Sequence, residues 1–153
     1  MHCPVWLVGS VIDTDAIVGR LAELLPRGAI LRGAGLDPVN GVLYREEQQA
    51  IAKAVPQRLR EFRAGRIYAR RALRALGVPD GPILPGKLRS PIWPSGSTGS
   101  ISHCRNLCAA VVGLTKDIAS IGIDIEDFAA ASFDLEPLVA TPSEMTQQQR
   151  IED

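Results

Sequence analysis

The chain has 153 residues, 46% of them hydrophobic and 22% charged, and its 17 basic and 17 acidic side chains give a formal net charge of zero. That length and composition suit one globular domain able to bury roughly 70% of its unfolded surface, and they exclude a disordered chain. No apolar run approaches the ~20 residues of a membrane span, so a transmembrane helix is not expected.

The start, MHCPVWLVGSVIDTD, lacks a basic region ahead of its apolar residues and meets Asp13 early. This argues against a cleaved signal peptide and for the cytoplasm. Cys3, Cys104 and Cys108 form an odd set without the spacing of a secreted framework and are read as reduced thiols. Residues 1–43 hold short apolar runs, Val5–Val8 and Ala29–Leu31, set among glycines and prolines, and predict short strands or helices without a motif.

A helix is predicted over Arg45–Val55, ended or kinked at Pro56, which has no backbone N–H to donate. The stretch Gln57–Leu76 predicts the most secure helix of the chain, with Gly77 at its C-terminal cap and Pro79 just beyond. At about 100° per residue, Leu59, Phe62, Ala69, Leu73 and Leu76 fall on one stripe, the expected buried face. Arg66 lies inside that stripe, and Arg63 and Arg70 flank it. A cation there needs a partner or a polar cavity. A snorkelling side chain or a structural ion pair meets that need, and so does an anion site in which the guanidinium fork holds phosphate oxygens. Gly65 and Ala69 are small and leave room for an approaching group.

Glycine and proline dominate Gly77–Gly99, which reads as a long ordered loop. Within the polar stretch GSTGSISHC (residues 96–104), Gly96 and Gly99 flank Ser97 and Thr98 as in a tight turn whose N–H groups could cradle an anion. It is no P-loop, since no Gly-Lys-Ser/Thr follows. Ser102 and His103 are adjacent, so in an extended strand they face opposite ways and do not make a nucleophile–base pair. His103, Cys104 and Cys108 lack the further ligand a zinc site needs.

Two strands are predicted next, Leu107–Leu114 and Ile118–Ile125, joined by a hairpin turn at Thr115–Asp117. In SIGIDIE (residues 120–126), alternation sends Ile121, Ile123 and Ile125 to one face and Gly122, Asp124 and Glu126 to the other. Two carboxylates about 7 Å apart by alpha carbon could share a divalent ion, and hard oxygen donors favour magnesium. The solvent face of an edge strand fits the same pattern. The tail from Phe128 is polar and aperiodic. Charge is unevenly spread: seven arginines and one acid, Glu61, lie in residues 58–74, whereas eight acids and one base, Arg150, follow Ser120. The two parts can hold one anionic ligand together if a cation bridges the acids. A nucleic-acid reading of the arginine helix ranks last, given zero net charge and few aromatics for stacking bases.

Three segments, REFRAGRIYARRALRALG (60–77), SPIWPSGSTGSISHC (90–104) and SIGIDIE (120–126), stand in order and at a spacing that resembles the 4'-phosphopantetheinyl transferases of the surfactin-synthetase and enterobactin-synthase component D type. The resemblance runs from about Glu46 to Glu126 and implies transfer of phosphopantetheine from coenzyme A to a serine of an acyl, aryl or peptidyl carrier protein, as in siderophore or other secondary metabolism. It implies an α+β fold: the N-terminal half of a two-subdomain architecture over residues 1–117, and the first strand of the second half within 118–153. By motif, Arg66, Arg70, Arg89, Ser102 and His103 would bind coenzyme A, while Asp124 and Glu126 would bind Mg2+. Arg63 and Lys87 are neighbouring candidates.

The family's later motif, a Trp followed by Lys-Glu, is not found: Trp6 and Trp93 are the only tryptophans, and none of Lys53, Lys87 and Lys116 precedes a glutamate. Glu144 is not assigned in its place, and no general base is named. A half-fold is expected to leave an apolar patch uncovered near Ile118–Ile125 or a flexible tail after Phe128. The alternative function is a non-catalytic half-domain that binds coenzyme A or the carrier protein.

Overall fold

The computed structural model describes residues 13–127. The readings made for Cys3, Val5–Val8, Trp6, the tail from Phe128 and Glu144 lie outside the described residues. The elements run α1 (Thr14–Glu23), β1 (Ile30–Gly35), α2 (Arg45–Ile51), α3 (Pro56–Ala75), β2 (Ser97–His103) and β3 (Leu107–Leu114). The chain is α+β: the three strands form one antiparallel sheet in the order β1-β3-β2.

The central strand explains the layering. In β3, residues Leu107–Gly113 are all buried, so it reads as one continuous apolar run instead of an alternating one. Cys108, Ala110 and Val112 join the cluster built on Ala64, Ile67 and Tyr68 of α3. Ala109 and Val111 face the opposite side, where Leu31, Val18 and Leu21 gather. The sheet is therefore sandwiched between α3 and a second layer containing α1.

Helix α3 begins at Pro56, whose missing N–H costs nothing in the first turn. It ends in a Schellman arrangement: Gly77 has φ 76°, Gly77 N donates to Arg74 O at 3.0 Å, and Val78 N donates to Leu73 O at 3.1 Å. The expected stripe is largely present, with Phe62, Ala69 and Leu73 buried. Leu59 is the exception. It is 43% exposed. The space left by Gly65 is filled by Ile101 of β2, whose Cγ2 would stand 2.7 Å from a Cβ built at that position.

Three expectations are corrected. First, the polar stretch after Gly96 is a strand, not an anion-holding turn. Its backbone groups pair with β3 from Ser97↔Leu114 to His103↔Cys108, and the turn N–H of Ser97 is taken by Pro94 O. Gly99 serves close packing: a Cβ there would lie 2.4 Å from Val111 O and 2.9 Å from the Trp93 ring. Second, Ile118–Ile125 is not the hairpin partner of β3, because β1 and β2 already occupy both its edges. Third, this segment is not an uncovered apolar patch. Ile118 is buried, and Ile121, Ile123 and Ile125 pack on the Leu31–Ala109–Val111 cluster. The expected alternation survives without the ladder, since Gly122, Asp124 and Glu126 are exposed.

Burial has a titration consequence. Cys108 is fully buried, and loss of solvation, reinforced by Glu61, pushes its thiol up to about 12 from 9.0. A proton held more tightly in the folded state stabilises it fully below pH 9, and that stabilisation is lost as pH rises toward 12. We expect Cys104, half-buried, to react with iodoacetamide at pH 8 in the folded protein while Cys108 stays unlabelled, as mass spectrometry of tryptic peptides will show. Denaturant midpoints should fall above pH 9, and fall less in Cys108→Ala.

Candidate functional site

The arginine within the apolar stripe is resolved by a buried network. Arg66, 5% exposed, donates from Nε to Ile83 O at 2.7 Å and lays its guanidinium 4.2 Å above the Phe62 ring. Burial lowers its pKa to about 10, with the negative charge of Glu47 opposing the shift, so it remains cationic at neutral pH. Arg70 donates from Nη1 to both oxygens of Glu47, at 2.6 and 2.8 Å, and from Nη2 to Val42 O at 2.7 Å.

Glu47 is fully buried and holds more than Arg70. Its Oε1 accepts from Ile83 N at 2.9 Å, and its Oε2 accepts from Tyr44 N at 2.9 Å. The Ile83 peptide is thus gripped from both sides, by Glu47 at its N–H and by Arg66 at its C=O. That grip fixes the segment leading to Arg89. Arg63, beside the stripe, donates to Gly41 O at 2.8 Å.

Arg89 sits at the tip of a tight excursion closed by a bridge between Pro85 and Pro91. Leu88 and Arg89 have φ of 55° and 64°, a left-handed backbone that side chains other than glycine seldom adopt. Lys87 and Arg89 are exposed. Arg89 shares a groove of about 540 Å³ with Lys53, Arg58, Phe62 and Pro85. Among the described residues lining that groove there are three cations and no carboxylate, over an apolar floor. Such a groove suits a ligand with both phosphate and flat apolar parts.

At the end of β2, adjacent residues reach different partners, as the strand periodicity requires. His103 turns to α3, with Nε2 3.3 Å from Arg58 Nη1 and 3.5 Å from Glu61 Oε2. Ser102 turns to the segment after β3: its Oγ donates to Asp124 Oδ1 at 3.0 Å and accepts from Ile125 N at 3.0 Å. Glu126 lines a wide cleft of about 1240 Å³ together with His103, Glu61, Asp37 and Asp127.

The structure therefore brings Ser102 to Asp124, and His103 to the same cleft as Glu126. Arg89 joins a groove that also contains Arg58. Arg66 and Arg70 meet through Glu47 and Ile83 instead, inside the protein. Sequence reasoning missed Arg58, Glu61, Lys53 and Glu47. The signal for the first two was present: a lone acid three residues after an arginine on one helix is an i,i+3 pair.

Asp124 and Glu126 are solvent-facing, oxygen-only ligands, and Asp124 is oriented by Ser102 Oγ. Among the described residues no group of three or more His, Cys, Asp or Glu could hold a metal ion. Two carboxylates still fit magnesium, which usually keeps several waters and takes phosphate oxygens. Among the described residues, no helix is long and apolar enough to cross a membrane.

The chain is similar to known proteins. Residues 46–113 match the family described as 4'-phosphopantetheinyl transferase N-terminal domain. The chain is 42% identical over 128 residues to the 4'-phosphopantetheinyl transferase Svp of Streptomyces mobaraensis, covering 81% of this chain and 52% of that protein. It is 44% identical over 90 residues to PptT of Mycobacterium tuberculosis, covering 59% of this chain and 40% of that one. With enterobactin synthase component D of Escherichia coli K12 it shares 36% over 123 residues, 76% of this chain and 57% of the relative. The chain spans about half the length of the curated relatives it matches.

Removing one partner of the Glu47–Arg70 pair strands a buried charge. Arg70→Ala is expected to cost about 3–5 kcal/mol in urea unfolding. Replacing both residues by methionine should cost clearly less than Arg70→Ala alone. Equal losses would mean that the interactions of the pair itself, and not the stranded charge, account for the cost.

Proposed function

With a 4'-phosphopantetheinyl transferase N-terminal domain over residues 46–113, we propose that this chain provides the coenzyme A-binding wall of a Mg2+-dependent transfer of 4'-phosphopantetheine to a carrier-protein serine. The observation that carries the reading is the end of β2, where His103 reaches Arg58 of the arginine helix and Ser102 reaches Asp124 of the carboxylate segment. Cationic groove and carboxylates are thereby joined by two consecutive residues. The domain division at residue 117, the site residues Arg66, Arg70, Arg89, Ser102, His103, Asp124 and Glu126, and a cytoplasmic setting belong to this proposal.

In the reaction, the carrier serine Oγ bonds to the phosphorus that bears pantetheine, the bond to the bridging pyrophosphate oxygen breaks, the serine proton is lost and 3',5'-ADP leaves. Charge on the phosphates is the main obstacle, and fixed cations lower it. Lys53, Arg58 and Arg89 offer that charge from the groove, with Phe62 as an apolar floor for the nucleotide. Arg66 and Arg70 act from behind: their network holds the Ile83 peptide and so the segment carrying Arg89. His103 lines the phosphate side, and Ser102 orients the Asp124 carboxylate. Magnesium, held by Asp124 and Glu126, would supply Lewis-acid neutralisation of the pyrophosphate.

The test is calorimetric binding of coenzyme A, followed by mass spectrometry of an apo carrier protein incubated with the chain, coenzyme A and magnesium. Arg58→Ala and Arg89→Ala are each expected to weaken coenzyme A binding about tenfold, about 1.4 kcal/mol. Asp124→Asn should reduce carrier modification more than binding. Binding without any adduct would reduce the function to capture of coenzyme A, and absence of binding would overturn the proposal.

A further inference from the structure

Glu61 is the only acid among the seven arginines of residues 58–74. Its side chain is 12% exposed, so it is not an ordinary surface ion-pair partner. Gln57 Nε2 donates to Oε1 at 3.1 Å and leaves Oε2 for two neighbours, Arg58 Nη1 at 3.3 Å and His103 Nε2 at 3.5 Å. Arg58 Nη1 itself lies 3.3 Å from the same His103 nitrogen. Three charged or titratable groups thus close a triangle between α3 and a strand 45 residues away in sequence.

The triangle has a chemical restriction. A guanidinium only donates, so Arg58 can bond to Nε2 only if that nitrogen offers its lone pair. A carboxylate only accepts, so Glu61 can bond to Nε2 only if that nitrogen carries the proton. Glu61 competes for both partners and sets how they share the site. Among the described residues lining the groove that Arg58 shares with Lys53 and Arg89 there is no carboxylate to take the place of Glu61.

We propose that Glu61 is a positioning residue that holds as one unit the Arg58 guanidinium, which lines the cationic groove, and the His103 ring, which lines the wide cleft with Glu61. The inference rests on the reading of that groove as a phosphate site. It adds that affinity there depends on an acid that touches no ligand.

The experiment compares the full chain with Glu61→Ala, Glu61→Gln, Arg58→Ala and the Arg58→Ala/Glu61→Ala double variant. Two readouts are used: calorimetric affinity for coenzyme A, and the imidazole nitrogen shifts of His103 in the ligand-free protein. Glu61→Ala is expected to weaken binding about tenfold and to change the Nε2 signal. Glu61→Gln should recover most of the affinity, because its amide oxygen still accepts from Arg58. In the Arg58→Ala background, loss of Glu61 should cost less than about twofold. An equal loss in both backgrounds, or unchanged His103 signals in Glu61→Ala, would overturn the proposal. If the unmodified chain fails to bind coenzyme A, the functional reading falls, and the His103 signals alone decide whether Glu61 sets the ring.

Discussion

The buried carboxylate of Glu47 is the constraint on which the rest of the site depends. A charge with no exposure is tolerated only when its hydrogen-bonding capacity is used, and here Arg70, the Ile83 peptide and the Tyr44 peptide all donate to it. Those donors come from α3, from the segment after α3 and from the start of α2. One side chain therefore fixes three pieces of backbone that carry no regular ladder between them. The groove that holds Lys53, Arg58 and Arg89 is built across these same pieces. Its geometry follows from the carboxylate behind it.

Seven arginines in one stretch raise the question of why the helix tolerates them. The structure divides the charge by depth. Arg66 and Arg70 face inward, with Glu47 and backbone carbonyls as partners. Arg63 and Arg71 each bond a carbonyl of the Asn40–Gly41 segment, and Arg74 pairs with Asp80. Arg58 sits partly exposed at the groove, held by Glu61 and His103. Inward arginines shape the scaffold, whereas Arg58, near the N-terminus of α3, lines the groove with Lys53 and Arg89. Such a helix is basic for two separate reasons.

Local rules made much of this legible. Glycine after its end and the 3.6-residue stripe indicated α3, although Pro56, read as the stop of the preceding helix, is its first residue, and the period of two correctly separated Ile121, Ile123 and Ile125 from Asp124 and Glu126. What failed was partner choice. Nothing in Leu107–Leu114 says that both its edges are occupied by β1 and β2, because that depends on segments more than 70 residues away for β1. Gly96 and Gly99 suggested a tight turn by composition, yet Gly99 is required by the close approach of Val111 O and the Trp93 ring, and the room read at Gly65 is taken by Ile101. The place of Arg66 within the buried stripe was legible, and its need for a partner with it. Its partner was not, since Ile83 offers a carbonyl that no side-chain pattern reveals.

The site also shows why parity along one strand matters more than its polarity. Ser102 and His103 differ by one position, so they face opposite sides and cannot act on each other. That separation is useful. Ser102 binds Asp124 on the side where Ile123 and Ile125 pack, while His103 binds the start of α3. A one-residue slip of β2 against β3 would exchange these faces, moving the imidazole to the carboxylates and the hydroxyl to Arg58. The close packing at Gly99, against Val111 O and Trp93, and at Gly65, against Ile101, opposes such a slip. Glycines that read as flexibility in the sequence therefore fix the register, and through it they keep the cationic groove and the carboxylates on their proper sides.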